Sequence, residues 1–375
     1  MATVETLDAV VAGGGVIGLA VARALALAGR SVVVLEAEPA LGTHASSRNS
    51  EVVHAGLYYT PGSLKAELCV AGKHALYAYC EEHDVPYALP GKLVVATRTA
   101  EIAELERLAA QAEANGVHDL VWLDGAGVRA LEPELTAVRA LWSPSTGIVD
   151  SLLLMTQLKR DAVEHGAAIV LATPVLRGRV EPEGFVLELG GPEPAQVRCK
   201  AFVNAAGLSA TALSRALTGL PAASIPRQYF TKGQYFTLAG ASPFRHLVYP
   251  VPESGGLGVH VTVDLAGAVR FGPDVTWVDD VDYRFDEARA AVFYTAVRRY
   301  YPALADGALV PGYAGVRTKL VPEGAPPGDF VVSDERAHGV RGLVALYGIE
   351  SPGLTACLAI AERVSASLGG RRSPG

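Results

Sequence analysis

Cysteine is scarce in this sequence, and its scarcity excludes a good deal. The four copies, Cys69, Cys80, Cys199 and Cys357, form no CxxC pair and no metal-ligand spacing. Reduced core thiols are expected, and neither a disulfide framework nor a metal centre. An excess of positive charge is missing too: the formal net charge is −7, which leaves no field to hold nucleic acid, so an anionic partner must meet local cations. Charged residues make up 19% of the chain and apolar ones half, which excludes a disordered chain. Uninterrupted apolar runs of membrane length are absent, since AVVAGGGVIGLAVARALALAG is broken by three consecutive glycines and Arg23. The residues before it, MATVETLD, carry no Lys or Arg, unlike a secretory signal. These absences predict a cytoplasmic protein, with peripheral contact at the inner face of a membrane left open. Only the tail GGRRSPG reads as unstructured.

What is present begins with DAVVAGGGVIGLAVARALALAGRSVVVLEAE, which reads as strand, glycine turn, helix and strand. Gly13, Gly15 and Gly18 stand in GxGxxG spacing. The first suits a tight turn, the second lets the backbone approach a pyrophosphate, and the third lets helix and strand pack closely. The helix start at Val16 and Ile17 offers unpaired N–H groups to the phosphates. Glu36, followed by Ala37, ends the second strand, where a carboxylate accepts hydrogen bonds from a ribose diol and repels a 2′-phosphate. A dinucleotide, FAD or NAD but not NADP, is expected.

The strand-then-glycine element returns at AFVNAAGLSATALS, with Ala206 and Gly207, and at GLVALYGIESPGLTACLAIAERV. In the latter, Gly348, Glu350, Ser351, Pro352, Gly353, Leu354 and Thr355 lead into a last helix. A freed helix N-terminus there suits the pyrimidine edge of a flavin, where negative charge develops on reduction. These blocks in this order resemble the FAD-dependent oxidoreductases of the D-amino acid oxidase superfamily. Within it, NSEVVHAGLYYTPGSLKAELCVAG, GKLVVAT, SPSTGIVD, LVYPVP, LGVHVT, FGPD and GVRTKL resemble the L-2-hydroxyglutarate dehydrogenases and oxidases. The resemblance covers nearly the whole chain. It implies FAD, oxidation of a 2-hydroxy dicarboxylate to the 2-oxo acid with hydride passing to flavin N5, and oxygen or a quinone as acceptor.

The fold class expected is α/β: a discontinuous Rossmann-like FAD-binding domain of residues 1–75, 140–218 and 328–375, joined to an α+β substrate domain of residues 76–139 and 219–327. The first includes the helix SLLLMTQLKRDAVEHG and the strand AAIVLAT, which puts the Val175 backbone beside an adenine. The second rests on a mostly antiparallel sheet, because GQYFTL and VHVTV alternate as a sheet with one covered face and one face open to a ligand.

Between these parts runs ASSRNSEVVHAGLYY. Ser46, Ser47, Arg48, Asn49 and Ser50 are expected along the cofactor, although the same small residues cap helices without any ligand. The family pattern usually has glycine where this chain has Glu51, which puts the closeness of this loop to the flavin in question. His54 is expected to take the alcohol proton, histidine being tuned for that near neutral pH, with a covalent flavin link as another option. His260 is the competing base. Arg317 is the carboxylate clamp, since its planar guanidinium meets a carboxylate bidentately; it also borders the cofactor. Lys232 and Lys319 are candidates for a second carboxylate, and Tyr58, Tyr59 and Tyr249 for phenolic hydrogen bonds. Competing readings are a flavin-dependent glycerol-3-phosphate dehydrogenase, whose loop is similar, an amino acid or amine oxidase on the same scaffold, and a flavoprotein without turnover.

Overall fold

The computed structural model describes residues 6–252 and 258–369. Residues 1–5, 253–257 and 370–375 lie outside it, and with them most of MATVETLD, the first residue of LGVHVT and the tail after Gly369. The first strand, Thr6–Ala12, carries a helix, Val16–Leu27, to a parallel neighbour, Val32–Leu35. The helix stops where Gly29 turns left-handed, at φ +80°.

The first sheet has a parallel heart. Leu343–Tyr347, Ala195–Asn204, Thr6–Ala12, Val32–Leu35 and Ala168–Val170 run side by side in that order. The antiparallel hairpin Val175–Glu181 and Gly184–Leu189 extends the lower half of Ala195–Asn204. Helices Val16–Leu27, Leu64–Glu82, Ser151–Glu164 and Gly353–Ser367 cover one face, through a core that includes Leu19, Leu76, Leu158 and Ile360. Gly72 permits the closest crossing, since a Cβ there would stand 2.6 Å from Ala356 Cα. Buried Asp161 ties three of these helices together, accepting from Arg23 at 2.7 Å and Tyr79 at 2.8 Å.

The second sheet is mostly antiparallel. Its longest pairing joins Tyr229–Leu238 to Leu309–Lys319, and its middle runs through Val269–Phe271, Val261–Val263, Leu247–Pro250 and Lys92–Ala96. One face is sealed: Leu93, Val95, Phe236, Val248, Val261 and Phe271 bury against Phe293, Val297 and Tyr300. The opposite face meets the segment that follows the first Rossmann unit, because Val94 and Tyr249 pack on Ala55, Leu57, Val52 and Tyr58.

Two of the expected domain boundaries need correction. The helix Leu64–Glu82 runs straight through the break at 75, and the strand Arg139–Ser143, which straddles the break between 139 and 140, pairs along its whole length with Lys92–Ala96 in the second sheet. A continuous helix and a laddered strand cannot change layers midway without losing their hydrogen bonds.

Candidate active site

The nucleotide end is built by close backbone contact. Gly13 has φ +106° and lies so near Ala205 that a Cβ would be 2.5 Å from its carbonyl oxygen; at Gly18 a Cβ would be 1.9 Å from the Gly13 oxygen. Gly15 is looser, its added Cβ meeting only the Ser46 hydroxyl at 2.8 Å. That hydroxyl accepts the Val16 N–H at 3.0 Å, capping the helix in place. Glu36, 8% exposed, accepts from Gly14 N at 2.5 Å and Glu38 N at 2.9 Å, so its carboxylate is anchored at the strand end. Ala37 is exposed beside it. Val175 joins the cluster of Ala12, Leu35 and Ala206, and Gly207 turns at φ +54°.

The polar loop behind this turn spends much of its chemistry on itself. Asn49 donates to Ser46 O at 2.8 Å and accepts from Glu51 N at 2.7 Å, while exposed Ser47 leans on His44 O. Arg48 lies 4.4 Å from the Tyr283 ring centroid and donates to Ala314 O at 3.3 Å. Its own carbonyl comes within 2.4 Å of where a Gly315 Cβ would be, which is why glycine is needed in that strand. These roles hold the loop on the second sheet. Glu51 explains the glycine of the family pattern: its backbone is left-handed, φ +59°, where glycine is at ease. The side chain turns aside to Ser151 Oγ at 2.9 Å and Arg270 at 3.2 Å.

Beyond it, His54 is fixed by its N–H to Thr355 Oγ1 at 2.9 Å and by Nε2 at 3.1 Å from Ser351 Oγ. Its Nδ1 is buried without a hydrogen-bond partner among the described residues. Burial, with the positive charges of Lys92 and Arg317, lowers the His54 pKa to about 3. The imidazole is therefore neutral at working pH. The facing sheet carries Arg317, half-buried, donating to Tyr235 Oη at 3.1 Å; that oxygen lies 3.2 Å from Ser50 Oγ. Burial opposes the Arg317 charge, but the Tyr235 oxygen and the Glu350 carboxylate outweigh it and raise the guanidinium pKa. His260 lies just before the strand Val261–Val263, 5% exposed, its ring stacked 3.5 Å from that of Tyr249. Burial pushes the phenols of Tyr58, Tyr59 and Tyr249 up, so all three stay protonated donors.

The expected lysines are not brought to this group. Lys232 follows Thr231, the register partner of Arg317, so alternation sends it to the opposite face, where Asp282 holds it at 3.1 Å. Lys319 is on the correct face but is bound to Glu350 at 2.7 Å, a carboxylate it shares with Lys65 at 3.0 Å. Glu350 is thereby spent as a strut of the loop between Gly348 and Gly353. Burial alone would raise its pKa, but the two lysines lower it. Two residues escaped sequence reasoning. Tyr235 sits in the quoted GQYFTL, but only its register opposite Tyr313 and its bond to Arg317 bring it into the group. Lys92, in GKLVVAT, is 0% exposed with Nζ unbonded; a lysine inside an apolar strand was the available signal.

The family profile described as FAD dependent oxidoreductase matches residues 8–367. The chain belongs to this family. It is 46% identical over 401 residues to the mitochondrial L-2-hydroxyglutarate dehydrogenase of Arabidopsis thaliana, covering 96% of this chain and 83% of the relative. The mitochondrial enzyme of that name from Nematostella vectensis is 31% identical, with 96% and 90% covered. Among solved structures, dithionite-reduced L-alpha-glycerophosphate oxidase from Mycoplasma pneumoniae with FAD bound superposes with a TM-score of 0.88 at 26% identity, covering 99% of this chain and 97% of that one. The mitochondrial relatives overturn the cytoplasmic expectation drawn from the scarce cysteines, the broken apolar run and the MATVETLD start, none of which fixes a destination. No helix among the described residues is long and apolar enough to cross a membrane.

As a flavoprotein of this family the chain has FAD as its cofactor, and its residues fit that group. Gly13 and Gly18 leave no room for side chains, the Glu36 carboxylate waits at the strand end, and the His54 Nδ1 is a buried polar atom lacking a partner among the described residues.

Proposed function

We propose that this chain oxidises L-2-hydroxyglutarate to the corresponding 2-oxo acid. The observation that carries the reading is that Arg317, held by Tyr235, lies within electrostatic reach of neutral His54, in a chain 46% identical over 96% of its length to an L-2-hydroxyglutarate dehydrogenase. Bound FAD would supply the acceptor for the two electrons and the carbon-bound hydrogen. Residues Gly13–Gly18, Glu36, Ser46 and the start of the last helix would hold it.

The rest of the work falls to the side chains. Arg317 takes one substrate carboxylate on its planar fork, with Tyr235 fixing the guanidinium plane. His54 accepts the hydroxyl proton: its backbone is pinned by Thr355 and its ring by Ser351, so the imidazole is oriented before substrate arrives. His260, packed flat on Tyr249, shapes the wall of the site.

Glycerol 3-phosphate is the second reading, favoured by the structural likeness to the Mycoplasma oxidase. Anaerobic addition of L-2-hydroxyglutarate, its D enantiomer, glycerol 3-phosphate and a panel of amino acids decides between them. Bleaching of the flavin band by the first alone is the expected result; bleaching by glycerol 3-phosphate and not by the hydroxy acid would overturn it. Peroxide measured on re-aeration tells an oxygen-using enzyme from one that needs a quinone.

A further inference from the structure

Lys92 is a buried amine that has no carboxylate beside it among the described residues. It sits on Lys92–Ala96 opposite Ser143 and Leu247. Its side chain lies on the sheet face that meets the His54 segment, with Nζ 4.7 Å from the Tyr58 ring centroid and 4.8 Å from that of Tyr249. Two aromatic faces attract a cation, but they do not replace a counter-ion. The titratable groups around it are His54 and Tyr58 from the loop, Cys69 from helix Leu64–Glu82, and Tyr249 from its own sheet, with His260 stacked behind Tyr249. The field of Lys92 reaches His54, as does that of Arg317. Two positive charges therefore flank one imidazole.

A dicarboxylate brings two negative charges to this place. Arg317 answers one. The other, carried out of water into the same site, needs a second cation. Lys232 is committed to Asp282, and Lys319 and Lys65 to Glu350.

We propose that Lys92 is a positioning residue for dianionic 2-hydroxy acids: acting from between Tyr58 and Tyr249, it supplies the second positive charge that Arg317 alone does not. The inference rests on the dicarboxylate reading above. Burial lowers the Lys92 pKa to about 7 in the free protein. An anion arriving nearby raises it, so binding at pH 8 takes up a proton.

The test uses the FAD-loaded protein and two ligands that do not reduce flavin, 2-oxoglutarate and the monocarboxylate pyruvate. Calorimetry at pH 8 in two buffers of different ionisation enthalpy gives affinity and proton uptake. Wild-type protein is expected to bind 2-oxoglutarate with proton uptake. Lys92→Met loses the uptake and about tenfold in affinity for 2-oxoglutarate while pyruvate binding is unchanged. Lys92→Arg, always charged, keeps the affinity without the uptake, and it serves alone if the Met variant does not fold. Undiminished 2-oxoglutarate affinity in Lys92→Met, uptake that persists there and so belongs to His54, or uptake in Lys92→Arg overturns the assignment of Lys92 alone. Pyruvate bound by wild type as tightly as 2-oxoglutarate overturns the dicarboxylate reading on which it rests.

Discussion

Substituting Gly18 by alanine is the sharpest probe of the nucleotide turn. The added methyl carbon would stand 1.9 Å from the Gly13 carbonyl oxygen and 3.5 Å from Val11 Cγ1. Relief requires the oxygen to retreat by more than 1 Å. Gly13 has little room to move, because it lies so near Ala205 that even a Cβ on it would be 2.5 Å from that carbonyl oxygen. Strain of this kind belongs at the upper end of overpacking, about 3 kcal/mol, which lowers the melting temperature of a chain this size by roughly 4 °C. Gly15→Ala is the control. Its methyl meets only the Ser46 hydroxyl at 2.8 Å, so Ser46 swings away and the helix loses one cap, worth about 1 kcal/mol. Thermal melts of the two apoproteins, with FAD content from the visible spectrum, make the comparison. A Gly18→Ala protein that melts with wild type and retains full FAD would refute the packing argument, and a Gly15→Ala protein hurt more than Gly18→Ala would invert it.

Other expectations can be checked in the same preparation. Arg317→Ala should lose roughly 2–4 kcal/mol of transition-state binding in kcat/KM and keep its FAD; unchanged kinetics removes Arg317 from the site. His54→Gln should slow anaerobic flavin reduction by about 10²-fold, and full-speed reduction would pass the role to His260. Because the folded His54 pKa is lowered to about 3, the unfolded chain binds the extra proton below its ordinary value. His54 then contributes stability that is present above pH 6.5 and is lost as pH falls from there toward 3. Melts of wild type and His54→Gln across that range should converge toward the acid end. Glu350→Gln should cost about 3 kcal/mol by leaving the buried Lys65 and half-buried Lys319 without their carboxylate, and a melt equal to wild type would show that the strut is idle.

Much of the fold was legible because its signals are local. The glycine spacing, the apolar helix and the acid at position 36 lie within one stretch of chain, and the covered face of the second sheet was written in alternation. The loop was legible in kind but not in use. Asn49 and Arg48 have the chemistry of ligand-binding residues, yet they close the loop on itself and on the second sheet. Nothing in their neighbours along the chain announces that choice.

The sequence by itself determined that a dinucleotide turn exists, that strands of two kinds follow it, and that His54 and Arg317 belong to segments of chemical interest. Tertiary structure alone decided which cations are free for a substrate. Lys232 meets Asp282 fifty residues away, Lys319 meets Glu350, and Lys92 reaches two tyrosines without meeting a carboxylate among the described residues. The reason is physical: the state of a charge depends on what lies within a few ångströms of it, and sheet register and layer packing set those distances between residues far apart along the chain.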